Sequence, residues 1–178
     1  LILHDLKKES VSAAMKYLYY SIAGAFLALF GIFVLSRYAP SMDFVPGGHF
    51  TAGSVPNQGL ILGALCLMVI GFGAKAGLFP LHAWLPIAHP VAPAPASAVL
   101  SGVVVKSGVL AMIRTIFYVV GADMVRGSFV QTVWMVLTLL TIVMGSTRAF
   151  HENVFKKRLA YSTGSQLSYV LFGLSTLH

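Results

Sequence analysis

Two lysines in this chain, Lys75 and Lys106, stand inside runs that are otherwise apolar enough to cross a membrane. A lysine at the bilayer centre costs about 2.5–3.5 kcal/mol on insertion scales, and residues carrying that cost usually face a bundle interior and mark ion pathways. Burial disfavours an ammonium group, so a buried lysine can take up and release a proton near neutral pH. The alternative is a lysine kept permanently charged by a buried partner, which then only fixes helix packing. Between the two lysines lie His82 and His89 and five prolines, Pro80, Pro86, Pro90, Pro93 and Pro95. Histidine titrates near neutral pH, which suits it to pass protons between a buried lysine and water. Lys75, Lys106, His82 and His89 are therefore the candidate proton relay. A His82 hydrogen-bonded to a freed carbonyl is the competing role, and His89 is expected at the surface, at a pathway mouth or without special function.

Each proline removes a backbone donor and frees a carbonyl, which lipid cannot satisfy, so irregular backbone at membrane depth must be buried in protein or line a wet cavity. Pro80 and Pro86 are assigned to a helix break next to Lys75; Pro90, Pro93 and Pro95 suit a connector between spans. If the helix persists through the break, His82 lies two turns from Lys75 on the same face.

The elements that must hold these residues are transmembrane helices. Of 178 residues, 57% are hydrophobic and 10% charged, against about 25% charged in soluble domains, and the mean hydropathy is +0.84. The apolar blocks approach the roughly 20 residues a helix needs to cross the hydrocarbon core, and no alternating pattern suggests a β-barrel. An all-α polytopic bundle is expected, with spans near residues 13–37, 59–79 (continuing past Pro80 to 85–87), 96–120, 129–147 and 155–177. The second span centres near residue 73 and the third near 108, so both lysines sit close to the midplane. Residues 38–58 read as a loop outside the membrane.

If each span crosses once, one side carries Lys7, Lys8, Lys16, Arg148, Lys156, Lys157 and Arg158, and the other Arg37 and Arg126. This bias places the N-terminal side in the cytoplasm. The net charge of +7 is thus read as topology rather than as a nucleic-acid surface. The acids Asp5, Glu9, Asp43, Asp123 and Glu152 all fall in loops or flanks, so any carboxylate facing either lysine must come from another helix or subunit. The chain begins at Leu1 without a signal-peptide pattern and ends after an apolar run. It is therefore expected to be part of a longer protein, with residues 1–178 inside a single transmembrane domain.

Gly73 and Gly77 form a GxxxG around Lys75 that suits close helix approach, and their spacing does not fit a dinucleotide fingerprint. Trp84 is expected at the membrane interface, Cys66 in packing. Ser101, Ser107, Ser162, Thr163, Ser165, Gln166 and Ser168 are expected to bond between helices or hold waters. No metal, nucleophile or cofactor motif appears, so the chain is expected to make or break no bond itself and to bind no cofactor.

With these residues in view, the sequence resembles the proton-conducting antiporter-like subunits of respiratory complex I, Mrp-type cation/proton antiporters and energy-converting membrane hydrogenases. The resemblance rests on "AKAGLFPLHAWLPIAHPVAPAPASAVLSGVVVKSG" and "FKKRLAYSTGSQLSYVLFGL". It implies a fold of about fourteen helices, of which these are the sixth to tenth. It also implies that Lys75 sits at a broken helix and pairs with a glutamate on an earlier helix. Lys106 would then lie in a central hydrated axis, with His82 in the cytoplasmic input. The implied function is proton translocation by a non-catalytic subunit of an oxidoreductase complex in a prokaryotic cytoplasmic membrane. Its expected partners are other membrane subunits, the bilayer and H⁺ or Na⁺, and no nucleic acid. An Mrp-type antiporter subunit, a non-conducting membrane anchor and a substrate symporter are the alternatives.

Overall fold

The computed structural model describes residues 8–41, 43–51 and 57–177; Asp5 and Lys7 lie outside the described residues. Its elements in order are α1 (Lys8–Tyr38), α2 (Gln58–Ala76), α3 (Leu85–Val91), α4 (Ala94–Val99), α5 (Val105–Arg114), α6 (Ala122–Val125), α7 (Phe129–His151) and α8 (Phe155–Ser175). Between α4 and α5, and after α5, the helix widens into π turns at Leu100–Val104 and Thr115–Val120, so Ala94–Val120 is one continuous span. Among the described residues, four helical segments are long and apolar enough to cross a membrane: Lys8–Tyr38, Gln58–Ala76, Ala94–Val120 and Phe129–His151. The expected fifth, α8, has 21 residues and so the length of a span. Its basic start and its Ser162, Thr163, Ser165, Gln166 and Ser168 make it more polar than the other four.

Small residues bring α1 and α2 together. A Cβ built on Gly71 would lie 2.5 Å from the Gly24 carbonyl oxygen, and one on Gly31 would lie 2.6 Å from that of Ala64. Two helices whose backbones approach this closely associate through packing rather than through the hydrophobic effect, which is absent between helices in lipid. The α2–α5 contact uses Gly108, where a Cβ would come 2.8 Å from the Phe72 carbonyl oxygen and 3.1 Å from Lys75 Cβ. The expected GxxxG pair does something else: Gly73 packs on Leu78 of its own turn, and Gly77 ends the helix.

That ending corrects the position of the break. Helix α2 stops at Ala76, before Pro80, because Gly77 takes a left-handed φ of +79° and its N–H closes back on the Gly73 carbonyl. Glycine has no Cβ to oppose this conformation, which makes it the ordinary terminator of a helix. Pro80 lies in the turn that follows. Pro86 stands in the first turn of α3, where its missing N–H has no helical partner to lose, so it starts a helix rather than breaking one. Pro93 and Pro95 likewise sit at the start of α4, which therefore begins at Ala94.

The loop after α1 lies back on the far end of the third span. Backbone N–H groups of Val45, His49 and Phe50 donate to the carbonyls of Tyr118, Val119 and Val120 at 3.0, 2.9 and 3.2 Å, satisfying groups that a helix end leaves without a partner. At the opposite end, Lys156 Nζ donates to the Ala92 carbonyl at 3.2 Å, so the start of α8 and the α3–α4 junction share the end where α1 begins. One apolar cluster, around Leu65, Met112, Ile116 and Trp134, fills the half of the bundle nearest that loop. A second, around Ala13, Trp84, Ala88, Leu100 and Ala160, packs the broken helix among α1, α4, α5 and α8.

Candidate functional site

Lys75 stands in the last turn of α2, directly before the reversal at Gly77. Its Nζ donates to the Tyr17 hydroxyl on α1 at 2.8 Å and lies 5.0 Å from the centre of the Tyr17 ring. Tyr17 is itself held by Trp84, the two rings meeting edge to face at 5.1 Å. A half-buried lysine here therefore has a neutral hydroxyl and a ring face as its partners, and among the described residues no carboxylate pairs with it. Tyr17 joins the candidate site through this contact; in the sequence only the aromatic run "YLYY" at 17–20 signals it.

The break is closed by two side chains. Trp84 Nε1 donates to the Ala74 carbonyl at 2.8 Å, and the Thr141 hydroxyl on α7 accepts from the Phe79 N–H at 2.8 Å while donating to the Leu137 carbonyl at 2.7 Å. Trp84 is 1% exposed, which overturns its expected place at the membrane interface. Its indole is needed inside because the broken ladder leaves a buried carbonyl to satisfy. Trp84→Phe removes that donor, and an orphaned buried carbonyl costs about 1–3 kcal/mol. A correspondingly lower thermal unfolding midpoint in detergent is the expected result.

His82 does not share a face with Lys75. The shared face presupposed an unbroken helix, and the turn after Gly77 carries His82 towards α7 and α8 while Lys75 reaches α1. His82 stacks on Phe79, ring centres 5.7 Å apart, and lines a cavity of about 10 Å³ together with Thr141, Tyr161, Gly164 and Ser165. Its Nδ1 is buried with no hydrogen-bond partner. His89 is 5% exposed rather than at the surface. Its Nδ1 meets Ser97 Oγ at 2.6 Å, and its Nε2 is buried without a partner. The seven-residue helix that carries His89 is packed between α1 and α8.

Lys106 lies one position from the middle of Ala94–Val120, directly after the first π stretch. Extra-wide turns of this kind recur at functional sites. Gly108 faces Lys75 across the α2–α5 contact, and two residues of helix turn about 200°, so Lys106 points away from Lys75. It is exposed, in a face with Gly102, Val103 and Leu110 that no described residue covers. The geometry thus brings Lys75 to Tyr17 and His82 to α7–α8, and leaves Lys106 turned outward at mid-depth.

The whole of residues 1–177 matches the family model described as NADH:quinone oxidoreductase/Mrp antiporter, TM. The chain belongs to that family. It is 33% identical over 178 residues to hydrogenase-4 component B of Escherichia coli strain K12, a match that takes in 98% of this chain and 25% of the relative. It is 36% identical over 163 residues to NAD(P)H-quinone oxidoreductase chain 4 1 of Synechococcus sp. strain JA-2-3B'a(2-13), covering 92% and 30%. This family member therefore spans about a quarter to a third of these relatives' lengths. Its fold is that of a chain in the membrane-bound sulfane sulfur reductase, an archaeal respiratory membrane complex (TM-score 0.82, 26% identity, 97% of this chain and 34% of that one). The Mrp complex from Dietzia sp. DQ12-45-1b (TM-score 0.81, 22% identity, 94% and 30%) and respiratory complex I from Thermus thermophilus (0.76, 23%, 98% and 36%) show the same fold. The protein is an integral, multi-pass membrane protein.

Proposed function

We propose that this chain is the central part of a proton-translocating, antiporter-like subunit in which Lys75 and Lys106 gain and lose protons. The observation that carries this reading is the setting of Lys75: a lysine at a broken helix, inside the membrane, held by a tyrosine hydroxyl instead of a carboxylate. No buried ion pair fixes the charge here: among the described residues the partners of Lys75 are a neutral hydroxyl and a ring face. Lys106 supplies a second protonatable group at the same depth on the next span. Since the two point apart, protons pass between them along water and the side chains of neighbouring membrane helices. A carboxylate near Lys75 on such a helix would shift its charge and, through it, that of Lys106.

His82 receives protons on the side where α1, α7 and α8 have their basic ends, and His89 stands nearer that mouth. Lys8, Lys16, Arg148, Lys156, Lys157 and Arg158 give that end its charge, and the positive-inside bias makes it cytoplasmic. The likeness to subunits of hydrogenase-4 and NAD(P)H-quinone oxidoreductase supports a place beside other membrane subunits in a redox-driven complex of a prokaryotic cytoplasmic membrane. Proton uptake by proteoliposomes holding the intact complex tests the reading. With the driving reaction running and no Na⁺ present, uptake is expected, and Lys75→Ala is expected to abolish it. Uptake that requires Na⁺ on the opposite side would instead indicate an Mrp-type exchange.

A further inference from the structure

We infer that a pair of serine hydroxyls, Ser146 on α7 and Ser165 on α8, delivers protons to His82 from the end of the bundle at the α7–α8 turn. The inference rests on the proposed proton-translocating role and names an entry for it.

Three observations line up. First, His82 Nδ1 is buried and has no partner, although it lines a cavity of about 10 Å³ shared with Ser165, Thr141 and Tyr161; that is room for about one water, in a site with several polar groups to hold it. Second, Ser165 is 5% exposed, and its Oγ meets Ser146 Oγ at 3.0 Å, a bond in which either oxygen can donate. Third, Ser146 is exposed on the other side, in an open cavity of about 370 Å³ at the surface, lined by Ser162, Arg158, Phe155 and Phe150 next to the turn between α7 and α8. The two cavities have no lining residue in common. The hydroxyl pair is what joins them.

The approach of the helices explains why the join is polar and narrow. Gly145 lets α7 close on α8, since a Cβ there would fall 3.1 Å from Ser165 Cβ. Water cannot pass a contact of that kind, but a proton can. A proton taken up by Ser146 Oγ from the outer cavity forms one O–H bond, and the hydroxyl's original proton moves to Ser165 Oγ. Ser165 in turn releases its own proton to the water in the inner cavity, and that water yields one to His82 Nδ1. Each oxygen ends with the number of protons it began with, and only the imidazole gains one. The relay resets when both hydroxyls rotate. Arg148 acts electrostatically on His82, and Tyr161 is the other titratable side chain on the inner cavity.

The test is proton uptake by proteoliposomes containing the intact complex with Ser165→Ala, Ser146→Ala, both together, or Ser146→Thr. Ser165→Ala and Ser146→Ala are each expected to slow uptake about tenfold, the factor that 1.36 kcal/mol on a barrier produces. The double variant is expected to be no slower than either single one, because residues acting in one path are not additive. Ser146→Thr, which keeps the hydroxyl, restores the parental rate. Uptake at the parental rate in Ser165→Ala, or equal losses in Ser146→Thr and Ser146→Ala, would overturn the relay. Lys75→Ala, measured alongside, separates the two ideas: its loss of uptake with Ser165→Ala unaffected condemns only the serine route, whereas its normal uptake removes the transport reading on which the route depends.

Discussion

Lys106→Ala is expected to abolish proton uptake by the intact complex and to leave its assembly unchanged. The two halves of this expectation have separate physical grounds. Lys106 touches no described partner and is exposed on its helix, so truncating it creates no cavity and orphans no group. Removing a charge from mid-membrane also relieves the insertion penalty of about 2.5–3.5 kcal/mol. Assembly, read as the yield of intact complex on a native gel, should therefore equal that of the parent. A cost that large is kept only where the charge is used, which is why uptake should disappear. Normal uptake with normal assembly would mean that the face at Val103, Lys106 and Leu110 is a packing surface whose lysine can be spared.

The second large effect is structural. Gly71→Leu must push α1 away from α2, because even a Cβ at that position would meet the Gly24 carbonyl oxygen at 2.5 Å and the Ala28 nitrogen at 2.7 Å. Backbone atoms cannot rotate aside as a side chain end can, so the overpacking penalty reaches about 3 kcal/mol or more. The same shift would carry Tyr17 away from Lys75, since the two side chains reach across this interface. Gly63→Leu on the same helix is the control, because a Cβ there meets nothing within 4 Å. Thermal unfolding in detergent should show a large loss for the first and little change for the second.

Much of this arrangement was legible in the residue pattern, and the parts that were not have a common origin. Length and apolarity located the spans, because a helix in lipid must satisfy its own backbone. A break near Pro80 was readable, but its position at Gly77 was not. Proline announces that a helix cannot continue, whereas the choice of terminator depended on the left-handed turn that Gly77 adopts. The outward guess for Trp84 came from the habit of tryptophan at membrane interfaces; the buried carbonyl of Ala74 that needs its N–H arises only once the ladder is broken. For His82, linear spacing assumed one continuous helix, and the reversal sent it towards α7–α8; His89, expected at the surface, is buried where α3 packs between α1 and α8. Tyr17 was missed because its partnership with Lys75 spans 58 positions of sequence. No local pattern encodes a contact of that range.

The central claim is that Lys75 changes its protonation state, and arginine separates this from a merely electrostatic role. An arginine keeps the positive charge, can still reach a hydroxyl and an aromatic face, and does not deprotonate in a protein. The decisive measurement is proton uptake by proteoliposomes carrying the complex with Lys75→Arg, at a driving-reaction rate matched to the parent. Uptake lost as fully as in Lys75→Ala is the expected result. Uptake at the parental rate would contradict it, leaving Lys75 a fixed charge that holds α1 to the broken helix.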